Sequence, residues 1–139
     1  MISVKDVVRM KIPFPNISST LARQAHMYIC LQDGAEKLMV KCQTQKPKHL
    51  ITNRPPFRYI SETPDISRNP FTATTLIDCD KAFSVDNVSI DVQLLATNRR
   101  DICDTLLTII NHEIAHPECG NEIIDANDLI NLNNLIVQR

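Results

Sequence analysis

Val4-Lys5-Asp6-Val7-Val8-Arg9-Met10-Lys11-Ile12 sets Val8, Met10 and Ile12 against Arg9 and Lys11, an alternation of period two that marks a half-buried strand. Pro13-Phe14-Pro15 ends it, because proline fixes φ and lacks the N–H that pairing needs, and Asn16 to Thr20 supplies a polar loop. A second strand is expected from about Ala25 to Gln32. Asp33-Gly34 then reads as the turn into a third, Lys37 to Gln43. The chain therefore opens as a β-meander.

Thr44 to Pro70 carries five prolines and no sustained period, which predicts a long functional loop with a short strand around Phe57 to Ser61. Phe71 to Val85 returns to β character, interrupted at Asp80-Lys81. Val88 to Leu95 reads as a further short strand or as the lead into a helix. The period then changes: Ile102, Leu106, Ile109, Ile110 and Ile114 recur at helical spacing, with Asn98 or Asp101 as N-caps. Pro117 and Gly120 close this helix, about residues 98–116. A second follows over about 125–137 from the N-cap Asp125, with Leu129, Leu132, Leu135 and Ile136 on one stripe. Strands first and helices last predict a β-rich α+β domain spanning 1–139, a small barrel or sheet over about 1–95 with both helices on one side.

With 139 residues, 43% of them hydrophobic, the chain has room for one domain with a real core. Two glycines exclude Gly-rich phosphate loops and dinucleotide fingerprints. No apolar run approaches the ~18 residues that span a bilayer. Met1-Ile2-Ser3-Val4-Lys5-Asp6 lacks the profile of a secretory signal, so a cytoplasmic protein without a membrane partner is expected. Five cysteines, odd in number and without a C-x-x-C pair, read as reduced and mostly buried thiols.

The net charge of −1 hides a split. Residues 1–60 hold ten Lys/Arg and three Asp/Glu, a net of +7, and residues 61–139 hold five and thirteen, a net of −8. The basic residues Arg9, Lys11, Arg23, Lys37, Lys41, Lys46, Lys48, His49, Arg54 and Arg58 sit on predicted strands and in the long loop, interleaved with Phe57 and Tyr59. Cations that neutralise phosphates, together with rings that stack on unpaired bases, are what single-stranded nucleic-acid recognition requires. The alternative is a solvated face whose charges balance the acidic half of the same molecule.

Asp6 to Pro15, a polar loop, then Arg23-Gln24-Ala25-His26-Met27-Tyr28-Ile29 resembles the opening of the MazF/PemK/Kid-type toxins. There a D-(I/V)-V strand ending in proline and phenylalanine leads through a loop to an R-P-x-(L/V)-(V/I) strand. Thr75-Leu76-Ile77-Asp78-Cys79-Asp80-Lys81-Ala82-Phe83-Ser84-Val85 looks like a second strand of that family, built around a C-D pair. The resemblance covers roughly residues 4–114. It implies a Src-homology-3-like barrel, a homodimer, and an endoribonuclease that cuts single-stranded RNA with no metal or other cofactor and is silenced by a cognate antitoxin protein. Such cleavage needs a base for the ribose 2′-OH, an acid for the leaving oxygen and donors for the phosphorane.

Carried over by position, Arg23 matches the arginine that stabilises the scissile phosphate or serves as acid or base. Thr44 matches the hydroxyl that hydrogen-bonds the phosphate, and Asp80 a substrate-orienting carboxylate. The chain departs from the family at Gln24, where a proline is usual, in the longer loop after Thr44, and at Asp78, which stands in place of an arginine. His26 is a candidate substitute base or acid, since imidazole titrates near neutrality.

A competing constellation is His112-Glu113-Ile114-Ala115-His116, a literal H-E-x-x-H, which on a helix presents two imidazoles to Zn²⁺ and a glutamate to the attacking water. Pro117 biases His116 away from the helical region, and no third ligand is evident in the sequence. A zinc hydrolase using His112 and His116, and a non-catalytic interaction module of the toxin fold, are the alternatives to the ribonuclease.

Overall fold

The computed structural model describes residues 1–51 and 53–139, with Leu50 described in its backbone alone. Thr52, inside the predicted loop, lies outside the described residues. The fold is β-rich α+β. The strands are β1 Val7–Met10, β2 His26–Gln32, β3 Glu36–Thr44, β4 Tyr59–Glu62, β5 Thr75–Asp78, β6 Lys81–Asp86, β7 Val88–Ile90, β8 Gly120–Ile123 and β9 Ile136–Gln138. The helices are α1 Thr20–Arg23, α2 Pro47–Ile51, α3 Asp104–Ile114 and α4 Ala126–Leu132.

β1, β2 and β3 form the expected antiparallel meander, with Val8 opposite Tyr28 and Tyr28 opposite Lys41. The turn between β2 and β3 uses Gly34 at φ +109°, where a side chain would be strained. Lys37 braces it, donating to the Gly34 carbonyl oxygen at 2.9 Å and pairing with Asp33 at 3.1 Å.

β3 is long and shared: its first half pairs with β6 and its second half with β5, which in turn pairs with β4. All these pairs are antiparallel; β8 adds to β6 in parallel, and β7 and β9 form a separate two-stranded sheet. Between β1 and the later chain there is no continuous ladder among the described residues. Isolated bridges join Asp6 to Asp101 and Val8 to Leu95.

Successive residues of a strand face opposite sides of a sheet, and both faces here are buried. On one side Val7, Ile29, Val40 and Cys42 pack with Ile102, Leu106 and Ile110 from α3 and its approach. On the other, Val8, Met10, Tyr28 and Met39 pack with Phe83, Ile124, Leu129 of α4 and Ile136. The expectation that both helices lie on one side is therefore corrected: α3 and α4 cover opposite faces. Cys30, Cys42 and Cys79 are buried free thiols, and Cys103 and Cys119 are half-buried. Burial pushes the Cys30 and Cys79 thiols up to about 12.

Two predicted helices shorten for identifiable reasons. The first begins at Asp104, not near 98, because backbone bonds tie residues 96–102 to β1 and the turn before it: Ala96 N–H donates to the Val7 carbonyl oxygen, Val7 N–H to that of Arg100, and Ile102 N–H to that of Lys5. Cys103 is its cap residue, and Asp101 pairs with Arg99. The second is capped by Asp125 as expected, whose side chain accepts from Asp128 N–H at 3.0 Å, but it stops at Leu132. Buried Asn133 then accepts from Lys11 N–H at 2.9 Å and donates to the carbonyl oxygens of Lys11 at 2.8 Å and Leu129 at 2.9 Å. This turns the chain so that Ile136–Gln138 becomes β9. Among the described residues no helix is long and apolar enough to cross a membrane.

Candidate functional site

A cleft of about 670 Å³ opens where the meander meets the long loop. β1 contributes Arg9, β2 His26 and Met27, and β3 Cys42, Gln43 and Thr44. The register that sets Arg9 opposite Met27 and Met27 opposite Cys42 brings these strands to one place. Lys46, Lys48 and His49 come from α2 and the turn before it, Arg54 and Pro55 from the loop after it, and Phe71, Thr72, Ala73 and Thr75 from the approach to β5. Thr44 is opposite Thr75 in the ladder.

Charge distinguishes this cleft. Arg9, Lys46, Lys48 and Arg54 line it, and no carboxylate is among its described lining residues. Several cations elsewhere have acids beside them: Lys5 with Asp104, Lys41 with Asp78, Arg58 with Glu113, Arg68 with Glu62, Arg100 with Asp6. The basic and acidic halves thus do neutralise each other in part, while the cleft gathers four cationic side chains in one place.

Two imidazoles line the same space. His26 Nδ1–H donates to the Gln24 carbonyl oxygen at 3.0 Å, which leaves Nε2 as the acceptor of the neutral ring. Burial pushes the His26 pKa down, and the nearby charges of Lys41 and Arg9 push the same way, against the opposing bond to Gln24. The ring is therefore neutral at neutral pH. His49 has the other tautomer: its Nδ1 accepts from Lys46 N–H at 3.2 Å, so the proton sits on Nε2. That nitrogen lies 3.0 Å from Gln43 Nε2.

Of the residues singled out from sequence, Arg9, His26, Thr44, Lys46, Lys48 and Arg54 come together here. Arg23, exposed at the end of α1, instead lines a shallow depression with Phe14, Pro15 and Ser18. Asp80 uses both carboxylate oxygens on backbone, accepting from Phe57 N–H at 2.7 Å and Arg58 N–H at 2.9 Å. Arg58 donates to the Cys79 carbonyl oxygen at 3.0 Å and to both the carbonyl and the carboxylate of Glu113, at 2.9 and 3.0 Å.

Lys41 is half-buried, 3.9 Å from the buried carboxylate of Asp78. Burial pushes the Lys41 ammonium down and the Asp78 carboxyl up. Asp78 also accepts from Asp80 N–H at 2.8 Å, and it is not among the residues that line the cleft. Lys11 is half-buried, with its backbone on Asn133.

The H-E-x-x-H residues are spread over a helix end. His112 is exposed on α3, Glu113 is engaged by Arg58, and His116 lies beyond the last helical residue, Ile114, with its Nδ1 accepting from Glu118 N–H at 3.1 Å. Among the described residues there is no group of three or more His, Cys, Asp or Glu side chains that could hold a metal ion.

Sequence reasoning left out Gln43, Thr72 and Thr75 as cleft residues, while His49 was among the basic residues it placed in the long loop. Comparison with protein-family models, curated proteins and solved structures finds no match to this chain.

Proposed function

We propose that this chain is a MazF/PemK-like toxin-type protein: a cytoplasmic, metal-independent endoribonuclease that holds single-stranded RNA in the cationic cleft, acts as a homodimer and is neutralised by a cognate antitoxin. The observation that carries this reading is the cleft itself, with four cations, a neutral imidazole and no carboxylate among its described lining. Phosphate binding draws on such a cluster of positive charge. The barrel reading is supported by β3 being shared between β5 and β6 and by the bridges that return the chain to β1.

In the proposed reaction His26 Nε2 takes the proton of a ribose 2′-OH, and the 2′ oxygen attacks the adjacent phosphorus. The bond from phosphorus to the 5′ oxygen breaks, leaving a 2′,3′-cyclic phosphate, and the 5′ oxygen takes a proton from water in the open cleft. Arg9, Lys46 and Arg54 offset the charge of the phosphorane, and the Thr44 hydroxyl donates to a phosphate oxygen. An antitoxin with an acidic segment would cover the same cations.

The test is incubation of the purified chain with a long single-stranded RNA in EDTA. Fragments ending in cyclic phosphate support the reading, and RNA left intact at high protein concentration contradicts it.

A further inference from the structure

Of the six aromatic rings in the chain, Tyr28, Phe71 and Phe83 are buried and Phe14 is half-buried, while Phe57 and Tyr59 are exposed, at 59% and 41%. Both exposed rings belong to one segment. From residue 57 to 62 exposure alternates strictly, with Phe57, Tyr59 and Ser61 outward and Arg58, Ile60 and Glu62 turned in. Tyr59 opens β4, and Phe57 and Arg58 form the bend that leads into it, so the two exposed rings stand two residues apart at the entry to the strand, within roughly 7 Å of chain of each other. Pro55, two residues before Phe57, lines the cationic cleft, so the first ring stands within about 7 Å of chain from the phosphate site.

The backbone beneath these rings is pinned. Asp80 accepts from the N–H groups of both Phe57 and Arg58. The Arg58 carbonyl oxygen accepts from Cys79 N–H at 2.9 Å, and the Arg58 guanidinium is anchored on Cys79 and Glu113. Exposed rings on a fixed backbone lose little freedom when a flat partner covers them.

We propose that Phe57 and Tyr59 form a stacking platform for unpaired nucleobases of the strand whose phosphates occupy the cleft, with Asp80 as the positioning residue that holds the platform. This rests on the RNA reading above and deepens it. The cleft supplies attraction that any polyanion would feel. The platform selects a strand with accessible base faces, which inorganic polyphosphate lacks and a duplex hides. It also gives the Asp80 carboxylate a function that requires no contact with RNA.

The experiment compares binding of a single-stranded 12-nucleotide oligoadenylate, the corresponding adenylate–uridylate duplex and inorganic polyphosphate to the full chain and to Phe57→Ala/Tyr59→Ala. The double variant is expected to bind the single strand at least about 30-fold more weakly, from the usual effect of removing two stacking rings, with polyphosphate affinity unchanged. Phe57→Trp gives the chain its sole tryptophan. Its fluorescence should be quenched by the single strand and not by polyphosphate, and Asp80→Asn in that background should reduce the quench.

Undiminished single-strand binding by the double variant, an equal loss for polyphosphate, duplex binding as tight as single-strand binding, or no quench overturns the platform. Failure of the unaltered chain to bind either single strand or polyphosphate overturns the RNA reading itself.

Discussion

His26 donates through Nδ1–H to the carbonyl oxygen of Gln24, 3.0 Å away, and so presents an unprotonated Nε2 to the cleft. Its pKa lies below the usual 6.5, chiefly from burial. A base works in its unprotonated form, so the acid limb of the cutting rate should have its midpoint below pH 6.5. Arg9→Ala removes one of the charges that lower this pKa and should move the acid limb to higher pH. Single-turnover rates between about pH 5 and 8 check both. The same group links to stability. Its folded pKa is depressed, so its contribution is complete above 6.5 and is lost as pH falls from 6.5 through the folded value.

Arg9, Lys46, Lys48 and Arg54 line the cleft without a carboxylate among them. If Arg9, Lys46 and Arg54 each neutralise one phosphate of a single strand, the logarithm of affinity should fall with that of salt with a slope of about −2. Arg54→Ala should flatten the slope by about 0.7 and weaken all single-stranded sequences alike. Fluorescence anisotropy at several salt concentrations measures it.

Arg23 is exposed and lines a depression separate from the cleft. Arg23→Ala should therefore slow cutting far less than His26→Ala, for which the loss of a general base predicts roughly 100-fold or more. A shared assay of the two variants gives the ratio; a larger loss in Arg23→Ala would return the reaction to the depression beside α1.

Asn133 holds Lys11 to the end of α4 through three hydrogen bonds. Asn133→Ala leaves buried backbone groups unpaired and should lower stability by about 2–3 kcal/mol. Urea unfolding measures this, and the cleft's affinity for RNA should be unchanged.

The meander was legible because three signals agree there: period-two alternation, prolines after β1 and Asp33-Gly34 at the turn. Other elements have no such signature. Gly120–Ile123 shows no buried alternation and is a strand only because β6 accepts it in parallel. Ile136–Gln138 continues a helical Leu/Ile stripe, and pairing with β7 overrides it. At the site, Arg9, Lys46, Lys48, Arg54 and His26 were readable from type and place. Thr44, Arg23 and Asp80 followed from the family resemblance, and of these Thr44 alone lines the cleft. His49 sat in a proline-rich stretch with no period to say which way it faced.

The central claim is that the cleft both binds single-stranded RNA and cuts it through His26. Its most direct test is single-turnover cleavage in EDTA by the unaltered chain and by His26→Ala, each saturated with the same RNA. The account predicts cutting by the first, with equal RNA affinity but cutting slowed roughly 100-fold or more in the second. No cutting by the unaltered chain, or equal rates in both, would contradict it.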